Sequence, residues 1–165
     1  MAAHRSEVSL RPGATLRTLN TLVRTCRDSD AIHRAAANVV VSADLRNLLR
    51  SRAEAWGRRG EELQALVLMM DGTPACSGNA GARVLSLWVA VKAAVLGHAD
   101  AMGLEACDHA QMHALDEYEQ ALEAYMPERI RRTLTLQADR IADRAEALDA
   151  LLDQYSTHSQ SVRTR

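Results

Sequence analysis

Apolar residues recur at three- and four-residue steps through four long segments of this 165-residue chain, and that period commits it to packed amphipathic helices. In the first segment Leu16, Leu19, Leu22, Val23, Cys26, His33, Ala37 and Val40 share one stripe. The second stripe, Leu45, Leu48, Leu49, Arg52, Trp56, Leu63, Leu66 and Met70, follows Ser42, a residue type suited to an N-cap. It stops at Asp71-Gly72-Thr73-Pro74, with Gly and Pro in the order that helix C-termini use. Leu104, Cys107, Asp108, Gln111, Leu115, Tyr118, Leu122 and Tyr125 form the third stripe behind Asp100, a candidate cap. Pro127 then breaks the chain and fits the first turn of a fourth helix carrying Ile130, Leu134, Gln137, Ile141, Arg144, Leu148, Leu151 and Tyr155.

The composition supports helices alone. Hydrophobic residues make up 47% of the chain, but there is no Phe. Trp56, Trp88, Tyr118, Tyr125 and Tyr155 are the aromatics, and small or unbranched Ala and Leu favour helix. The one β-branched cluster, Val39-Val40-Val41, is too short to seed a sheet and marks a joint between helices. The class is therefore all-α. The length fits one domain, expected as a lead over residues 1–14, a bundle over residues 15–155 and a polar tail over residues 156–165.

Connection lengths set the topology. Helices one and two, and helices three and four, are joined too tightly to be anything but antiparallel neighbours. About 29 residues separate helix two from helix three, while a helix of about 25 residues spans about 38 Å. That connection is long enough to run the bundle's length, and its apolar stretch from Val84 to Leu96 reads as a short helix. A four-helix bundle with one long crossover between its second and third helices is the ferritin-like arrangement.

Several segments also resemble a known family: Leu19-Asn20-Thr21-Leu22 with Thr25-Cys26-Arg27-Asp28, Glu62-Leu63-Gln64 leading to Gly72-Thr73-Pro74, Leu104-Glu105-Ala106-Cys107-Asp108, and Tyr118-Glu119-Gln120-Ala121-Leu122. In their order and spacing the chain, from Leu19 to Leu151, resembles a bacterial family of ferritin-like four-helix proteins classed as domain of unknown function 2383. The resemblance implies the fold and no particular reaction. Family members typically carry acidic residues three apart on the third helix and often a His on the fourth. The matching positions here are Asp108, Gln111 and Ala145, a departure at the most metal-like points.

Ferritin-like di-iron sites need carboxylates from four helices and a Glu-x-x-His on two of them. No Glu-x-x-His occurs in this chain. The inward polar candidates are Asp30, His33, Arg52, Asp108, Gln111, Gln137 and Arg144, and inward arginines oppose a cation, so a hydrogen-bonded polar core layer is expected. Glu105, His109, His113 and Asp116 form a ridge at i, i+4 spacing that could chelate zinc, but it lies off the apolar stripe and reads as a solvated face. Cys26 and Cys107 fall on inward stripes as inert small hydrophobes, and with Cys76 they form no CxxC pair. No phosphate loop or nucleophile elbow is present, so no catalytic residue is assigned.

With a net charge of −1, no global field attracts nucleic acid or a membrane surface. The basic cluster Arg50, Arg52, Arg58 and Arg59 is interrupted by Glu54, Glu61 and Glu62 and lacks an aromatic stacking platform. No apolar run is long enough for a signal peptide or a membrane span, so a cytoplasmic protein is expected.

The expected role is that of a non-catalytic bundle acting through protein association, in a stress-related setting by analogy with ferritin-like proteins. The alternative is a metal-binding or oxidative protein with a degenerate carboxylate site for iron, manganese or zinc. The leading reading needs no cofactor. Its expected assembly is a homodimer formed through the crossover, with Trp88 as the anchor.

Overall fold

Ser42 has extended backbone, and its hydroxyl accepts from the Leu45 amide at 3.3 Å, opening a helix that runs without interruption to Met69. It is one of four helices in a computed structural model that describes the backbone of residues 3–76, 78 and 99–163 and the side chains of residues 12–76, 78 and 99–154. They are α1 (Ala3–Val39), α2 (Ala43–Met69), α3 (Ala99–Glu123) and α4 (Glu128–Arg163). No strand occurs among the described residues. The chain is an all-α four-helix bundle.

Two helix boundaries extend past their expected positions. α1 starts at Ala3 and carries Pro12 within it, although a lead was expected there. Pro12 is exposed, so the carbonyl left without an N–H partner can meet water instead of being stranded. α4 runs to Arg163, through the expected polar tail, because no Gly or Pro lies between Glu128 and Arg163 to stop it. Tyr125, expected on the third stripe, lies beyond the end of α3 and is exposed.

α2 ends in a Schellman motif. The Gly72 amide bonds the Val67 carbonyl and the Asp71 amide bonds the Leu68 carbonyl, both at 3.0 Å. The residue that adopts the left-handed conformation is Asp71, at φ 56°, rather than the glycine. A Cβ at Gly72 would displace the tip of the Leu16 side chain and lie 3.1 Å from the Val67 carbonyl oxygen.

Hydrogen bonds also show how the long connection begins and ends. Asn20 on α1 binds the Thr73 carbonyl at 3.0 Å and the Ala75 amide at 2.7 Å, and Arg27, two turns further along α1, binds the Cys76 carbonyl. The chain leaving α2 thus climbs beside α1. At the opposite end Asp100, expected to cap its own helix, instead accepts from the Val41 and Ser42 amides and pins the start of α3 to the α1–α2 joint. α2 and α3 are therefore parallel. The short helix expected over Val84 to Leu96, with Trp88, lies outside the described residues.

Close backbone approach runs along three edges of the bundle, α1–α2, α1–α3 and α3–α4. Two apolar clusters fill the interior. One contains Leu19, Leu22, Trp56, Leu63, Tyr118, Leu134 and Ile141, and the other Ile32, Val40, Leu45, Leu49, Leu104 and Leu148. Each fully buried Leu or Ile contributes about 1.5–3 kcal/mol. Gly103 allows α3 to approach α1, since a Cβ there would meet Val40 Cγ1 at 2.7 Å.

Candidate functional site

A heptad separates Cys26 from His33, Arg52 from Arg59, Gln111 from Tyr118, and Gln137 from Arg144. Seven residues rise about 10.5 Å along a helix and return to nearly the same face. The sequence thereby stacks polar groups in layers within an otherwise apolar bundle.

In the first layer each helix supplies one side chain. Tyr118 Oη on α3 donates to Gln137 Oε1 on α4 at 2.5 Å, and Gln137 Nε2 donates to Glu62 Oε2 on α2 at 2.6 Å. Because the tyrosine proton is committed to Gln137, the Cys26 thiol on α1, 3.4 Å away, donates to Tyr118 Oη. Burial pushes the Cys26 thiol up to about 12 and the Tyr118 phenol well above its usual range, so both stay protonated and act as donors.

The second layer lies between the two apolar clusters. Arg52 Nη1 donates to Gln111 Oε1 at 3.3 Å and to the Arg144 carbonyl at 3.0 Å, and Gln111 Nε2 donates to the Ile141 carbonyl at 3.2 Å. These bonds tie α2, α3 and α4 together. His33 on α1 is fully buried, with its ring 6.2 Å from that of Trp56. Its Nδ1 donates to the Ser29 carbonyl at 2.7 Å, while Nε2 meets no hydrogen-bond partner among the described residues. Burial, helped by the Arg52 and Arg59 charges, pushes the His33 pKa down to about 4, so the ring is neutral near pH 7. Burial likewise pushes the Cys107 thiol up to about 12.

Of the expected polar core residues, His33, Arg52, Gln111 and Gln137 are buried. Three others are placed differently. The Arg144 side chain is exposed, because Ala145 takes the inward position and only the Arg144 carbonyl joins the layer. Asp30 is half-buried on α1 and pairs with Arg34 one turn on, at 2.8 Å, rather than with another helix. Asp108 stands at the rim, because Cys107 and Gln111 hold the inward positions, and its buried Oδ1 has no hydrogen-bond partner among the described residues. Burial, and then the Asp149 carboxylate, push the Asp108 carboxyl above its usual range.

Glu105, His109, His113 and Asp116 are all exposed. Among the described residues no three His, Cys, Asp or Glu side chains gather closely enough to hold a metal ion.

Sequence reasoning missed Arg59 and Glu62 as site residues. Arg59 is 7% exposed, with Cζ 4.8 Å from the centroid of the Trp56 ring. The signal is in the sequence: Arg52, Trp56, Arg59 and Leu63 form one helical stripe, which cuts across the basic cluster of Arg50, Arg52, Arg58 and Arg59.

The fourth edge of the bundle, between α2 and α4, is bridged by these side chains and holds two hollows. One, of about 410 Å³, is lined by Glu62, Ala65, Leu66, Arg129, Thr133, Leu136, Gln137 and Arg140. The other, of about 110 Å³, is lined by Ala55, Arg58, Arg59, Glu62, Arg140 and Arg144.

A family model described as domain of unknown function (DUF2383) matches residues 14–124. The chain belongs to the DUF2383 family. The matched region ends at the close of α3, so the DUF2383 model spans Cys26, His33, Arg52, Glu62, Gln111 and Tyr118, whereas Gln137 and the arginines of α4 lie beyond it. A search among curated proteins returns no match. No helix among the described residues of this DUF2383 protein is long and apolar enough to cross a membrane.

Proposed function

We propose that this chain is a non-catalytic helical bundle that works by association, with a second copy of itself as its partner in a homodimer. The observation that carries this is exposed apolar surface on the outer α2 and α4 turns: Leu136, 52% exposed, lines the larger hollow, and Leu68 and Met69, 60% and 55% exposed, follow one helical turn after Ala65, which lines it too. Charge order along α4 supports a two-fold pairing. An antiparallel α4–α4 contact centred on Leu136 sets Arg129 opposite Asp143 and Glu128 opposite Arg144 of the second copy, with Arg132 against Arg140 as the one like-charge pairing. A ferritin-like relationship belongs to the same reading, supported by parallel α2 and α3 joined by the long connection, as do bacterial origin, cytoplasmic residence and a stress-related setting.

Replacing Leu136 by Glu and measuring mass by light scattering, with circular dichroism as the folding control, tests the proposal. The wild-type chain is expected to be dimeric at high micromolar concentration and the folded variant monomeric. A folded, monomeric wild type would overturn the reading. A folded variant that stays dimeric would move the interface off α4, with Trp88 the next residue to replace.

A further inference from the structure

We propose that the smaller hollow between α2 and α4, where Arg58, Arg59, Arg140 and Arg144 converge, is a binding site for a phosphate-type oxyanion. Its volume of about 110 Å³ equals the liquid share of roughly four waters. That admits one tetrahedral oxyanion, and a larger ligand would leave only its anionic group inside.

Four arginines from two helices line the hollow with a single carboxylate residue, Glu62, and that carboxylate already accepts from Gln137. The ion pair that the described residues do form, Arg34 with Asp30, is on α1; within one copy none of the four arginines has a carboxylate within ion-pair distance among the described residues, and in the proposed dimer only Arg144 gains one, Glu128 of the second copy. Arg59 gives the site its built character: it is 7% exposed, held over the Trp56 ring, and lines the hollow without a counter-ion. Burial and the neighbouring Arg144 both make its charge less favourable. An uncompensated buried guanidinium is costly, and its planar fork matches two oxygens of a phosphate. Arg140 and Arg144, one helical turn apart on α4, present two more forks from the opposite wall.

Thermal unfolding and titration calorimetry of the full chain with sodium phosphate, against sodium chloride at matched ionic strength, test the site. Phosphate is expected to raise the unfolding midpoint beyond chloride. Arg58→Gln/Arg140→Gln, both on exposed side chains, is expected to weaken binding at least tenfold while circular dichroism remains native. Glu62→Gln removes the one repelling charge and is expected to tighten binding several-fold. β-Glycerol phosphate separates two sources of the same chemistry: tighter binding than inorganic phosphate identifies the end of a phosphorylated molecule as the occupant, and weaker binding identifies the free ion. Equal responses to phosphate and chloride would overturn the proposal, as would unchanged affinity in both the double-arginine and Glu62 variants.

Discussion

Tyr118 on α3 fixes the carboxamide of Gln137 on α4: its hydroxyl donates to Oε1 at 2.5 Å, which leaves Nε2 aimed at Glu62 across the bundle. The orientation of one buried amide therefore depends on a phenol from a different helix, and the same phenol oxygen accepts a hydrogen bond from the Cys26 thiol. Removing the hydroxyl would leave both Gln137 Oε1 and the thiol without partners. Tyr118→Phe is expected to lower unfolding stability by about 1–3 kcal/mol in urea denaturation. Tyr118→Phe/Gln137→Leu is expected to cost less than the two single changes added together, because the phenol and the carboxamide leave together and neither strands the other. Strict additivity would mean that the two side chains are not coupled.

His33 sets an acid limit on stability. Its pKa is about 4 in the folded chain against an ordinary 6.5, so between those values the unfolded chain takes up a proton that the folded chain refuses. Its contribution is complete above pH 6.5 and is lost as pH falls toward 4, at about 1.4 kcal/mol per pH unit. Burial pushes the Asp30 and Asp108 carboxyls the other way, upward, so the test is the difference between wild type and His33→Leu across that range. The difference is expected to shrink steadily on acidification. A difference independent of pH would place a charged, solvated imidazole in the folded state.

At the end of α2, Asp71 holds a left-handed conformation that a Cβ makes unfavourable, at φ 56°. Asp71→Gly removes that strain within an intact Schellman motif and is expected to stabilise by about 0.5–1 kcal/mol. Gly72→Ala is expected to destabilise, because its Cβ would crowd the Val67 carbonyl oxygen at 3.1 Å and displace the end of Leu16. Thermal unfolding of the two variants should therefore shift in opposite directions.

The helices were legible because their apolar stripes are long and regular, and the Asp71-Gly72-Thr73-Pro74 stop appears where the sequence places it. The inward positions of His33, Arg52, Gln111 and Gln137 were legible for the same reason, since each sits on a stripe with large apolar neighbours. Partners were not legible. Periodicity gives a face but not the tilt that decides whether Ala145 or Arg144 meets the core, and it cannot tell that Asp30 is ion-paired with Arg34 on its own helix. Periodicity does place Arg59, unlike Arg58, on the inward stripe, but it does not show that the guanidinium stacks on Trp56. The start of α1 was misplaced because Pro12 reads as a breaker, whereas an exposed proline is accommodated within the helix.

In the proposed assembly the polar interior holds each bundle together while the outer face of α4 carries the association. Sedimentation velocity across a concentration series separates the two roles when Tyr118→Phe/Gln137→Leu and Leu136→Glu are run beside the wild type. The interior variant is expected to unfold at lower urea yet sediment as a dimer like the wild type, and the surface variant to keep its urea midpoint when monomeric species are compared and sediment as a monomer. A folded interior variant that is monomeric, together with a surface variant that remains dimeric, would contradict the account.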